Sequence, residues 1–92
     1  SMAWGAVRKL RRVVDNVRRI LAVELTVSGR AVDLRAPLVP AAGAGAALAA
    51  LRSDVPGPGP DRFLSPELAA AEELLRSGAV LAAVEEAIGP LA

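Results

Sequence analysis

Apolar residues recur at helical spacing along the first third of the chain. Leu10, Val13, Val14, Val17, Ile20, Leu21, Leu25 and Val27 fall within an arc of about 160° when successive residues are set 100° apart. Arg8, Arg11, Arg12, Asp15, Arg18, Arg19 and Thr26 occupy the other side. The pattern predicts one long amphipathic helix over 3–29, capped by Gly29, with continuation through Ala31 and Val32 left open. Pro37 and Pro40 break the pattern. A short helix follows over about 42–53, with Leu48 and Leu51 as its larger apolar residues. Residues 54–64 contain "VPGPGPD", whose prolines exclude regular helix and predict an extended connector. Ser65-Pro66-Glu67 marks a new start: serine as N-cap, proline at the first helical position, glutamate at the positive end of the helix dipole. That helix is expected to run to Arg76. Ser77-Gly78 interrupts it, and a last helix over 79–88 ends at Gly89-Pro90. No stretch alternates as a strand. The expectation is an all-α chain of helical-bundle type, a single unit over 1–92, with one long amphipathic helix followed by about three short ones.

Glu24 is out of keeping with this pattern, because it lies near the middle of the apolar arc, between Leu21 and Leu25. An unpaired buried carboxylate is costly and needs a cation, donors or a proton. Either it faces a substrate or it joins a buried hydrogen bond or ion pair within a larger bundle. The structural reading is preferred, so Glu24 is expected to be buried and paired.

Composition changes the picture of the core. Apolar residues make up 53% of the 92, but 20 of them are alanine, with one Trp, one Phe and no Tyr. Alanine favours helix yet buries little area. Such helices are expected to lean on others outside the chain. A helix over 3–29 is roughly 40 Å long, whereas a compact globule of this length has a radius of gyration of about 12 Å. The helix should therefore protrude. Its stripe of Leu10, Val14, Val17 and Leu21 should then pair with a second copy, antiparallel in a dimer or tetramer, or with the rest of a longer chain.

Charge and residue inventory narrow the chemistry. With no Cys and no His, the chain has no thiolate, no imidazole base and no neutral imidazole metal ligand. Net charge is +1, split unevenly: residues 1–36 hold eight Lys/Arg against three Asp/Glu, and residues 37–92 hold three against seven. Arg8, Lys9, Arg11, Arg12, Arg18 and Arg19 make a basic face. Without interleaved aromatics or a recognition fold, this reads as a solvated or intersubunit surface rather than a nucleic-acid site. Gly43-x-Gly45 lacks the third glycine and preceding strand of a dinucleotide fingerprint and reads as close helix packing. Glu72-Glu73 and Glu85-Glu86 point about 100° apart within each pair and do not share a site readily. No catalytic, cofactor-binding or metal-binding residue is assigned. No apolar run is long enough for a transmembrane span, no secretory h-region is present, and a cytoplasmic protein is expected.

Three stretches, in order, carry a resemblance. "RKLRRVVDNVRRILAVEL" is similar to a helix near the C-terminus of histidine ammonia-lyases. "GAALAALRSDVPGPGPDRFLSPELAAAEELLRSG" and "LLRSGAVLAAVEEAIGPL" resemble the segments that follow in that family. The match spans nearly the whole chain in order and spacing. The family carries Gln-Glu-Asp-His-Val-Ser-Met just before this helix. Ser1-Met2 is similar to its end, and equally reads as a start methionine after an added serine.

The resemblance implies a helical tetramer that eliminates ammonia from an aromatic amino acid, urocanate being the product from histidine. It further implies an electrophilic methylidene-imidazolone group built from an internal Ala-Ser-Gly. This chain has no Ala-Ser-Gly and no tyrosine: Val27-Ser28-Gly29 and Arg76-Ser77-Gly78 depart from the motif. No cofactor is therefore expected in the chain itself. The expectation is a C-terminal helical scaffold and oligomerisation segment of a lyase, inactive alone. The alternative is a free-standing helical interaction module derived from one.

Overall fold

The structure, a computed structural model, describes residues 1–91 and contains four helices: α1 (Met2–Leu34), α2 (Ala42–Arg52), α3 (Ser65–Ser77) and α4 (Ala79–Ile88). Among the described residues there is no strand, as the all-α expectation requires. The ends of α2 and α4 lie within a residue of those read from the sequence. There the punctuation is chemical: Pro40 precedes α2, and Gly78 and Gly89 flank α4 with φ of 83° and 89°, a region glycine enters without steric cost. No described helix is long and apolar enough to cross a membrane.

Two boundaries differ from expectation. Ser65 is the first residue of α3 rather than its cap; Leu64 holds the cap position and no side chain bonds the helix start. Pro66, which lacks an N–H, removes one of the donors a cap would have served. Gly29 does not end α1, which runs on to Leu34 and closes in a turn at Arg35. Gly29 is instead a buried contact. A Cβ there would lie 2.9 Å from Leu51 Cδ2 and 3.1 Å from Leu48 Cδ2, so glycine lets α2 come close.

α1 packs mainly on α3, and α2 mainly on α4. The core is small: Ala22, Leu51, Val55, Ala71 and Leu74 are the buried apolar residues. Leu25, Leu48, Ala70, Leu75, Ala79 and Val80 pack around them. Gly43 plays on α2 the part Gly29 plays on α1, since a Cβ would come 3.2 Å from Ile88 Cδ1 of α4. The small residues of "AGAGAAL" thus serve helix packing. A 33-residue helix is about 50 Å long, and the chain is correspondingly drawn out, 55 × 36 × 17 Å, with a radius of gyration of 15.4 Å. The N-terminal part of α1 projects, as the length argument predicted.

Filling the space at Gly29 is expected to separate α1 from α2. Gly29→Leu should destabilise by about 1–3 kcal/mol, whereas Gly5→Leu, at a position with nothing within 4 Å of its Cβ, should cost nothing. Urea midpoints of the two variants compare them.

Candidate functional site

α1 offers the chain's most extensive candidate surface. The helix seats on the body through Ala22 and Gly29, both buried, with Leu25 and Thr26 partly covered beside them. That contact line lies about 120° around the helix from the centre of the apolar arc, at 100° per residue. The arc consequently stays open. Leu10 is 63% exposed, Val13 56%, Val17 47%, Ile20 65% and Leu21 45%. A contiguous exposed stripe of this kind is a candidate interaction surface.

Glu24 is exposed and has no hydrogen-bond or ion-pair partner among the described residues. The expectation of a buried, paired Glu24 is not met within this chain. The cause is geometric: α1 turns its small residues inward, so the middle of the arc faces away from α2 and α3. Glu24 and Leu21 instead border a shallow dish with Leu25, Ser28 and Leu75.

The six basic residues do not act as one face. Arg8, Lys9, Arg11 and Arg12 are exposed and make no ion pair among the described residues. Arg18 donates to Asp15 at 3.2 Å, and Arg19, though exposed, lies 3.6 Å from Glu72 of α3, so its charge is shared with the α1–α3 contact. The glutamate pairs part company as the helical geometry requires. Glu72 faces Arg19, while Glu73 accepts from Arg76 at 2.6 and 2.9 Å. Glu85 accepts from the Leu91 N–H at 3.1 Å, and Glu86 points to solvent. Among the described residues no three carboxylates gather as metal ligands.

Sequence reasoning missed an arginine clamp on the connector. Arg52 Nε donates to Asp33 Oδ2 at 3.0 Å, and Nη2 joins the same oxygen. Its Nη1 reaches the carbonyls of Val55 and Pro56, each at 3.3 Å. Arg62 grips both Glu67 oxygens at 2.8 and 2.9 Å and donates to the carbonyls of Pro56 and Gly57 at 3.2 and 2.9 Å. A Pro/Gly segment has carbonyls but few N–H groups, so it cannot satisfy itself. Two planar guanidinium forks on its flanks supply the donors. The signal lay in the arginines bracketing the prolines, at 52 and 62. The Arg62 hydrogen bonds hold the Glu67 carboxyl below its usual range, with the charges of Arg62, Arg30 and Arg52 helping and burial opposing.

A depressed carboxyl contributes stability above its unfolded pKa, near 4.3, and loses it as pH falls through the lower folded value. Glu67→Gln should therefore flatten the acid limb of the stability profile below about pH 4.5 and leave the limb between pH 6 and 8 unchanged. Thermal melts across that range check it.

The residues matched by the family model for aromatic amino acid lyases are 1–53. Over 95 aligned residues the chain is 56% identical to the histidine ammonia-lyase of Streptomyces griseus. It is 54% identical over 91 residues to that of Sorangium cellulosum and 43% identical over 91 residues to that of Symbiobacterium thermophilum. The alignments take in 99–100% of this chain and 18% of each relative, so the chain spans about a fifth of their length. No solved structure matches.

Proposed function

The chain belongs to the aromatic amino acid lyase family, and we propose that it is the helical scaffold and assembly segment of a cytoplasmic histidine ammonia-lyase-like enzyme, one that converts histidine to urocanate and ammonia. The observation that carries the reading is the apolar arc of α1, most of which no described residue covers. The relatives are several times longer, and their remaining length, or a second copy, supplies what the arc lacks. A core of five buried apolar residues among those described supports the same view, because helices this rich in alanine gain much of their burial from neighbours.

The residues present do not fit a methylidene-imidazolone group. Val27-Ser28-Gly29 sits inside α1 with Gly29 packed against Leu51 and Leu48, and Ser77-Gly78 forms the C-terminal cap of α3, with the Ser77 hydroxyl donating to the Leu74 carbonyl. Neither is preceded by alanine, and no step of the reaction is assigned to this chain. In this reading the electrophile and the groups that act on substrate belong to the rest of the enzyme.

Complementation tests the proposal. The Streptomyces griseus enzyme lacking its matching segment is mixed with this chain, and urocanate formation from histidine is followed by ultraviolet absorbance. The mixture should turn over, and each part alone should not. Turnover by the 92-residue chain alone refutes the scaffold assignment, as does complementation that is unaffected by a charge in the middle of the arc.

A further inference from the structure

α1, the connector and α3 enclose a cleft of about 190 Å³ that adjoins the open arc of α1 at Val27. Val23 and Val27 of α1, Val55 and Pro58 of the connector, and Leu64 and Leu68 at the start of α3 form its apolar walls. Arg30, Arg52, Arg62 and Glu67 also line it. Two of the arginines are committed, Arg52 to Asp33 and connector carbonyls and Arg62 to both oxygens of Glu67. Arg30 makes no ion pair among the described residues. Asp61 lines a separate niche of about 30 Å³ beside Arg30 and does not line the cleft. The cleft thus combines apolar walls with one spare positive charge.

We propose that this cleft binds a small monocarboxylate with a phenyl-sized apolar body, the body against the valines and leucines and the carboxylate on the Arg30 guanidinium. The volume sets the size of the body. An apolar cavity of about 150 Å³ takes up benzene, so 190 Å³ holds one aromatic or branched aliphatic group and little more. The charge sets the head group. A guanidinium fork meets a carboxylate through paired N–H donors, and a single spare cation balances one negative charge, leaving a dicarboxylate or phosphate in excess. The site meets the arc only at its edge, through Val27, while Val23 and Arg30 lie roughly 130° around α1 from the centre of the arc.

Methyl-resolved NMR of the 92-residue chain, titrated with 3-phenylpropionate, 3-phenylpropan-1-ol and acetate, tests the site. The acid should shift the methyls of Val23, Val27, Val55, Leu64 and Leu68 saturably. The alcohol should bind about tenfold more weakly, for want of the charge-assisted bonds, and acetate should leave the cleft methyls unmoved. Arg30→Gln should erase the difference between acid and alcohol while the Leu74 methyls, deep in the core, keep their positions. Arg35→Gln, outside the cleft, should change nothing. Equal affinity for acid and alcohol, shifts centred on Val17 and Leu21, or no response in the cleft overturns the proposal. So does protection of the same methyls by the complementing four-fifths of the Streptomyces enzyme without any response to the acid, since a protein segment is then the occupant. A chain that self-associates yet ignores the acid defeats this proposal alone.

Discussion

Leu51→Ala is expected to remove most of the chain's stability at 25 °C. Leu51 is fully buried and is one of the two largest fully buried side chains, with Val55. It sits where α2 meets Gly29 of α1 and belongs to the same cluster as Ala22, Ala71 and Leu74. Truncating a buried leucine to alanine costs about 2–5 kcal/mol, more where the surroundings cannot collapse. Here Gly29 and the alanines of the cluster have no length to swing into the void, which leaves its few leucines and valines to close it. A domain of this size holds roughly 5–14 kcal/mol in total, and a core of five residues places this one toward the lower end. Circular dichroism of the variant in a urea series should show a transition at very low denaturant or none. Leu81→Ala, at a half-exposed position (52%), should move the midpoint little. Equal effects of the two substitutions contradict the core described above.

Val17→Glu is expected to abolish association through α1. Val17 is in the middle of the stripe that includes Leu10, Val14 and Leu21, and it is already 47% exposed in the single chain. A carboxylate there costs the isolated fold little, but in an apolar interface it is buried without a partner, a penalty of several kcal/mol. Arg12→Glu is the fitting control, as Arg12 is exposed and unpaired among the described residues. Arg19→Glu, which the helical wheel alone presents as harmless, is a poor control, because it sets a second carboxylate against Glu72. Analytical ultracentrifugation of Val17→Glu and Arg12→Glu beside the parent chain separates loss of association from loss of fold. Unchanged association of Val17→Glu contradicts the assignment of the stripe.

The helices were legible in the sequence wherever glycine and proline punctuate them, as at 78 and 89. The side of α1 that seats on the body was not. A hydrophobic wheel gives weight to Leu, Val and Ile, whereas α1 approaches α2 and α3 through Ala22 and Gly29, which carry almost no weight on such a scale. Close backbone approach, made possible by Gly29 and supported by the facing Ala71, decided the orientation and left the heavier residues outside. The same fact accounts for Glu24: its position on the arc was read correctly, but the arc is not the inward face. Gly29 misled in a second way, since a glycine late in a helix reads as a cap until the helix it meets is known. The arginine clamp escaped notice because most of its acceptors are connector carbonyls, outside any helical spacing, and the carboxylate that Arg52 holds, Asp33, is distant in sequence.

The open arc of α1 is proposed here as an interface between copies rather than a solvent face. Light scattering behind a sizing column, with the chain at tens of micromolar, tests it most directly. The expected mass is two or four times that of the chain, with Val17→Glu reduced to a single copy. A parent chain that elutes as a monomer of 9.4 kDa contradicts self-association through α1.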